Sequence, residues 1–172
     1  MLEFEGRWFV FDAWGHANVR ARHRTTFEVT REDYLTPRGD CIIGIRSEAS
    51  ASALPQWLKD GLRSGWVAVV LLAAGGRVDI VVGWGDPRME LSDPVRMVFR
   101  RSNYVGPETV MVRASKAAAD LDRGLVKALR GGARLRVAMT VVEPGRLGLP
   151  GLDVEGVYGE AGAILDDPPG PE

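Results

Sequence analysis

Apolar and polar residues alternate along this chain in two stretches seventy residues apart, and the alternation sets the expected elements. Residues 8–14, "WFVFDAW", are rich in aromatic and β-branched types and stop at Gly15, which predicts a strand. A second, long strand is expected over about 18–30. There Val19, Ala21, His23, Thr25, Phe27 and Val29 face one way, and Asn18, Arg20, Arg22, Arg24, Thr26 and Glu28 the other. "LTPRGD" reads as a turn, because Pro fixes φ and Gly tolerates positive φ, and "CIIGI" as a short strand. A helix follows, with Pro55 either starting it late or interrupting it. Its later counterpart is better marked. Ser115 is the expected N-cap, Ala118, Leu121, Leu125 and Leu129 form an apolar stripe, and Gly131 and Gly132 end it. The apolar runs "WVAVVLL" and "LRVAMTVV" close the two series as strands.

The two series align as a repeat. A shift of seventy sets "RWFVFDAWG" on "RVDIVVGWG", matching Arg7, Trp14 and Gly15 to Arg77, Trp84 and Gly85, and carries "DYLTP" onto "NYVGP". After a three-residue deletion the offset becomes 67 and continues through Leu58/Leu125, Leu62/Leu129, Arg63/Arg130 and Gly65/Gly132. Residues 1–142 are therefore expected to form one domain from two units, 7–74 and 77–142, each strand-strand-strand-helix-strand. The expected fold is α+β, with a mainly antiparallel sheet able to close into a barrel, covered by one helix from each unit about a pseudo-twofold axis. Residues 143–172 fall outside the repeat. "PGRLGLPGLDVEGVYGEAGAIL" either adds an edge strand or wraps the surface, and "DDPPGPE" reads as disordered.

Composition adds bounds. The longest unbroken apolar run, 66–74, is less than half of what a bilayer-spanning helix needs, and the acidic start lacks a basic segment leading into an apolar one. The single cysteine, Cys41, suits a reducing compartment. These features predict a cytoplasmic protein with no membrane partner; they leave room for a homo-oligomer. Charge is uneven beneath a net −1: from Glu143 onward seven acids face only Arg146, so residues 1–142 carry 21 bases and 16 acids. A basic body with an acidic tail suits an anionic ligand or an ordinary solvated extension.

"GHANVRARHRTTFEVTREDYLTPRGDCIIGI", followed by "YVGPETVMVRASKAAADLDRGLVKALR", resembles an uncharacterised archaeal family catalogued as domain of unknown function 371. The resemblance covers roughly residues 5 to 142, with "LTPRGDCIIG" its most distinctive block. It implies an archaeal origin and brings no activity or catalytic residues with it.

The repeat alignment orders the candidate chemistry. It sets His23 against Asp93 and His16 against Asp86, and inward-facing residues at equivalent positions near an axis would lie close together. A His beside an Asp has the makings of a general base, and Asp40 is a third candidate; the competing reading is a satisfied buried pair. Cys41 as a nucleophile would need a depressed thiol pKa. One Cys and two His match no metal-ligand spacing, so no metal is expected, and no cofactor is indicated. Arg20, Arg22 and Arg24, on one face of the expected strand, have the spacing of successive phosphates, though no aromatic residue stands between them for base stacking. Lys116, with Arg113 before the expected helix start, could help to hold an anion there. The leading expectation is a protein that binds RNA or another phosphate-bearing ligand. The alternatives are a small-molecule hydrolase or lyase built on His23 and Asp93, and a structural subunit of a larger assembly.

Overall fold

A computed structural model describes residues 7–146, so the expectations for the C-terminal extension beyond Arg146 lie outside the described residues. In chain order the elements are β1 Phe9–Trp14, β2 Thr26–Thr30, β3 Ile42–Gly44, α1 Gln56–Arg63, β4 Val67–Ala74, β5 Arg77–Trp84, β6 Arg96–Arg100, β7 Thr109–Met111, α2 Arg123–Arg130 and β8 Arg134–Val142. Short 3-10 turns at Ala51–Ala53 and Ala118–Asp120 precede the two helices.

Among the described residues the strands form two four-stranded sheets. The first, ordered β1-β8-β4-β5, is antiparallel throughout. The second is ordered β3-β2-β6-β7; its central pair is antiparallel and its flanking pairs are parallel. This is the expected mixed α+β class, but not a barrel. Only single bridges, Trp14 to Ile45 and Trp84 to Val112, tie one sheet to the other at the corners, so neither sheet closes.

The apolar faces meet in one core. Phe27 and Phe99 stack at its centre, 4.4 Å apart and nearly parallel, and Leu58, Leu62, Leu125 and Leu129 enter from the helices, all fully buried. Helices of eight residues are too short to persist alone. Burial of such leucines, each contributing about 1.5–3 kcal/mol, is what holds them.

Two expected elements are shorter than the pattern indicated. The long strand survives only as Thr26–Thr30. Ala21 takes a left-handed backbone conformation, φ 50°, that no strand accommodates, and the N–H groups of Arg22 and His23 both donate to the Asp40 carbonyl, at 3.1 and 3.3 Å. The later helix starts at Arg123, not after Ser115. Asp122 is its N-cap, accepting from the Leu125 N–H at 2.9 Å, while the Ser115 hydroxyl accepts from the Val82 N–H. Pro55 does start α1, standing at its N-cap.

Candidate functional site

The candidate residues lie in two places, a loop that carries the arginines and an outward sheet face that carries a buried glutamate.

The loop from Gly15 to Thr25 is built on backbone contacts. A Cβ on Gly15 would overlap the Leu129 carbonyl, so only glycine lets the chain pass the end of α2. Arg123 and Arg130, from α2, donate to the carbonyls of Ala21 and Val19 at 3.1 and 3.0 Å and clamp the loop from beneath. Each histidine serves the turn in which it stands. His16 Nδ1 accepts from the Asn18 N–H at 2.9 Å, and His23 Nδ1 accepts from the N–H groups of Thr25 and Thr26 at 3.3 and 3.1 Å. Accepting at Nδ1 requires that this nitrogen carry no proton.

Asp86 and Asp93 do the same work in the loop from Gly85 to Val95. Asp86 accepts from the Arg88 N–H at 2.9 Å, and Asp93 from the N–H groups of Val95 and Arg96 at 2.8 and 2.7 Å. Burial pushes the Asp93 carboxyl up, but those two N–H groups and the Arg96 guanidinium outweigh it, and its pKa is lowered. The matching of His to Asp is therefore a matching of turn acceptors. The structure does not bring His23 and Asp93 together: Thr26 pairs with Arg100 and Thr30 with Arg96, so the two turns feed opposite ends of a strand pair roughly 13 Å long. His23 is also exposed, not inward-facing.

The arginines do not share a strand face either. Val19 and Ala21 are buried and alternate with exposed Arg20 and Arg22, but from Arg22 to Thr25 every residue is exposed. Among the described residues, Arg20, Arg22 and Arg24 have no carboxylate within ion-pair distance. Lys116 differs. It pairs with the buried Asp79 at 2.6 Å, and since α2 starts at Arg123 it does not stand at a helix start. Arg113 lies over the Trp84 ring, 5.0 Å from its centre.

The second place is the outward face of β2 and β6. Glu28 sits at the middle of β2, opposite Val98, and is 6% exposed. Its carboxylate has no hydrogen-bond partner among the described residues. Burial pushes it up to about 7; Arg96 opposes this, and Glu32, Glu108 and Asp93 reinforce it. Arg96 and Arg100 are engaged elsewhere. Arg100 pairs with Glu108 at 2.5 Å and donates to the Thr109 hydroxyl at 2.9 Å, and Arg96 reaches Asp93 at 3.5 Å and Glu108 at 3.8 Å. Cys41 lies beside this group. Burial and the Glu28 charge push its thiol up, the opposite of the activation a nucleophile needs. Asp40 contributes its backbone carbonyl to the loop.

Sequence reasoning alone misses Glu28, because alternation puts it on a polar strand face. The seventy-residue shift holds the signal: it sets Glu28 on the apolar Val98.

Among the described residues no three His, Cys, Asp or Glu side chains are grouped so as to hold a metal ion. No helix among them is long and apolar enough to cross a membrane.

Comparison with known proteins finds an archaeal relative. An uncharacterized protein of the archaeon Methanocaldococcus jannaschii is 42% identical over 127 residues, which are 74% of this chain and 94% of that protein. The model of the family described as Domain of unknown function (DUF371) matches residues 11–142, which hold both loops and the Glu28 face, and the chain belongs to that family.

Proposed function

We propose that the chain binds a phosphate-bearing ligand, an RNA strand in the first place, through Arg20, Arg22 and Arg24. The observation that carries this reading is the state of those side chains: three exposed guanidinium groups within five residues, without carboxylate partners among the described residues, on a loop held by Arg123 and Arg130. Arginine presents a planar fork suited to phosphate oxygens, and a clamped loop loses little freedom when it binds. Asp79 engages Lys116, so Lys116 is no part of the site.

The test is a fluorescence-anisotropy titration of a labelled RNA oligonucleotide across a salt series, with inorganic phosphate as competitor. Replacing Arg20, Arg22 and Arg24 together by Gln should weaken binding at least tenfold at low salt. The slope of log affinity against log salt should fall by about 2, since each phosphate contact on a single strand contributes about 0.7. Binding that ignores salt, or survives the triple replacement, overturns the proposal. Competition by millimolar phosphate would point to a small phosphate-bearing ligand instead of a strand.

We also infer that the two units are copies of one ancestral unit. Three likenesses support this. Ala21 and Leu91 share a left-handed backbone, φ 50° and 51°, as do Arg46 and Arg113, φ 50° and 49°. Arg63 donates to the Met89 and Glu90 carbonyls much as Arg130 donates to that of Val19. β2 pairs with its counterpart β6 about Glu28 and Val98.

A further inference from the structure

We propose that the outward face of β2 and β6 reads a guanine base, whose paired N–H donors meet the Glu28 carboxylate between two stacking tyrosines, Tyr34 and Tyr104. This rests on the RNA binding inferred above and adds the base that the strand carries. Glu28 creates the need. It is 6% exposed and its carboxylate has no hydrogen-bond partner among the described residues, yet its oxygens are not sealed from solvent. A buried carboxylate of this kind is costly until donors reach it. A pair of N–H groups from a ligand supplies them.

The neighbours select the ligand. On this face Thr26 stands opposite Arg100, Glu28 opposite Val98 and Thr30 opposite Arg96. Arg100 lies over the Tyr104 ring, 4.8 Å from its centre. At the other end Glu32 accepts from the Thr30 hydroxyl at 3.3 Å and is hydrogen-bonded to Tyr34. Glu28 is therefore flanked by a tyrosine toward each end of the strand pair. Tyr34 and Tyr104 are 59% and 61% exposed, and they are the exposed large aromatic side chains among the described residues. Rings left in water on a sheet face are what unpaired bases stack on. Guanine is the base whose Watson–Crick edge offers two adjacent donors, N1–H and the 2-amino group, and a carboxylate accepts both at once. Adenine and cytosine turn a ring acceptor toward the carboxylate, and uracil sets its single N–H between two carbonyls. Arg96, whose ion pairs with Asp93 and Glu108 are long at 3.5 and 3.8 Å, can donate to the guanine O6. Arg24 precedes Glu28 by four residues, which puts the arginine loop within about 14 Å of the base.

The test titrates the full chain with labelled oligouridylates of one length that carry uridine, guanosine or inosine at a central position. It is run at pH 8, above the value of about 7 to which burial pushes Glu28, so that the carboxylate is charged. Guanosine should tighten binding about tenfold over uridine, and inosine, which lacks the 2-amino group, should lose most of that gain. Glu28→Gln should bring the ratio of guanosine to uridine affinity to within about twofold of one, since an amide offers one acceptor where the carboxylate offers two. Replacing Tyr34 and Tyr104 together by Ala should weaken every oligonucleotide at least tenfold, and replacing them by Phe should not, because stacking needs the ring and not the hydroxyl. Salt-dependent binding without a preference for guanosine overturns this proposal and leaves the RNA reading standing; absence of binding overturns both. A preference that inosine reproduces in full, or that survives Glu28→Gln, overturns the proposal, as does a loss with Phe equal to that with Ala.

Discussion

The loops Gly15–Thr26 and Gly85–Arg96 are alike in construction and opposite in charge. Each begins at a glycine pressed against the last turn of a helix. Each places an acceptor at its second residue and again seven residues later, and a left-handed residue between. Yet the first holds three arginines and no acid, and the second three acids against two arginines. The fold constrains the atoms that close the turns and leaves the outward positions open. The arginines of the first loop stand at exposed positions, while two of the second loop's acids, Asp86 and Asp93, are themselves turn acceptors.

The comparison can be broken first at the glycines. Gly15→Ala and Gly85→Ala each drive a methyl group into a helix carbonyl, of Leu129 and Leu62 respectively, and neither backbone has room to yield. Each should cost more than about 4 kcal/mol, read as failure to fold or as a large fall in the midpoint of chemical denaturation. A mild loss in one loop alone would show that the two are not held in the same way.

A second test sharpens the contrast at the strand centre, where β2 has Glu28 and β6, opposite it, has Val98. A folded-state pKa of about 7, against 4.5 for the free side chain, means that the folded protein holds a proton the unfolded chain releases. The protonated carboxyl therefore favours folding below pH 4.5. That contribution is lost as pH rises to about 7, and above it the charged group destabilises by about 3 kcal/mol. Glu28→Gln should raise stability at pH 8, change it little at pH 4.5, and flatten the profile between them in urea denaturation. An unchanged slope would mean that the carboxylate is stabilised as the anion.

The smallest effect is the most specific. If His23 and Asp93 are equivalent acceptors, His23→Asp should keep stability within about 1 kcal/mol, whereas His23→Ala leaves the Thr25 and Thr26 N–H groups without their acceptor and should cost about 1 kcal/mol or more. Thermal denaturation of the pair checks this; equal losses would show that the side chain closes nothing.

Runs of apolar, aromatic and β-branched residues made β1, β4 and β8 legible, with Gly15 marking the end of the first. The stretch from Val19 to Thr25 alternates apolar and polar residues and is not a strand. Its left-handed residue is an alanine in one loop and a leucine in the other, and neither type advertises that conformation. "SDP" in the second loop was the better guide, because an aspartate before proline marks a turn, and His23 takes the place of that aspartate. The arginines were legible as exposed basic residues, but their spacing was not, since it depended on the missing strand. Glu28 stayed hidden because burial comes from neighbours that local pattern does not include.

The pairing of β1 with β8 sets a timetable for synthesis. The ladder joins Phe9 to Met139 and Trp14 to Arg134, partners 130 and 120 residues apart. At about 5–20 residues per second, β1 leaves the ribosome roughly 6–25 s before the strand it pairs with exists. Through that interval "FVFDAW" has no ladder partner and is open to any other extended segment. A nascent chain of this protein therefore depends, for its first strand, on whatever shields an apolar segment until the last one arrives.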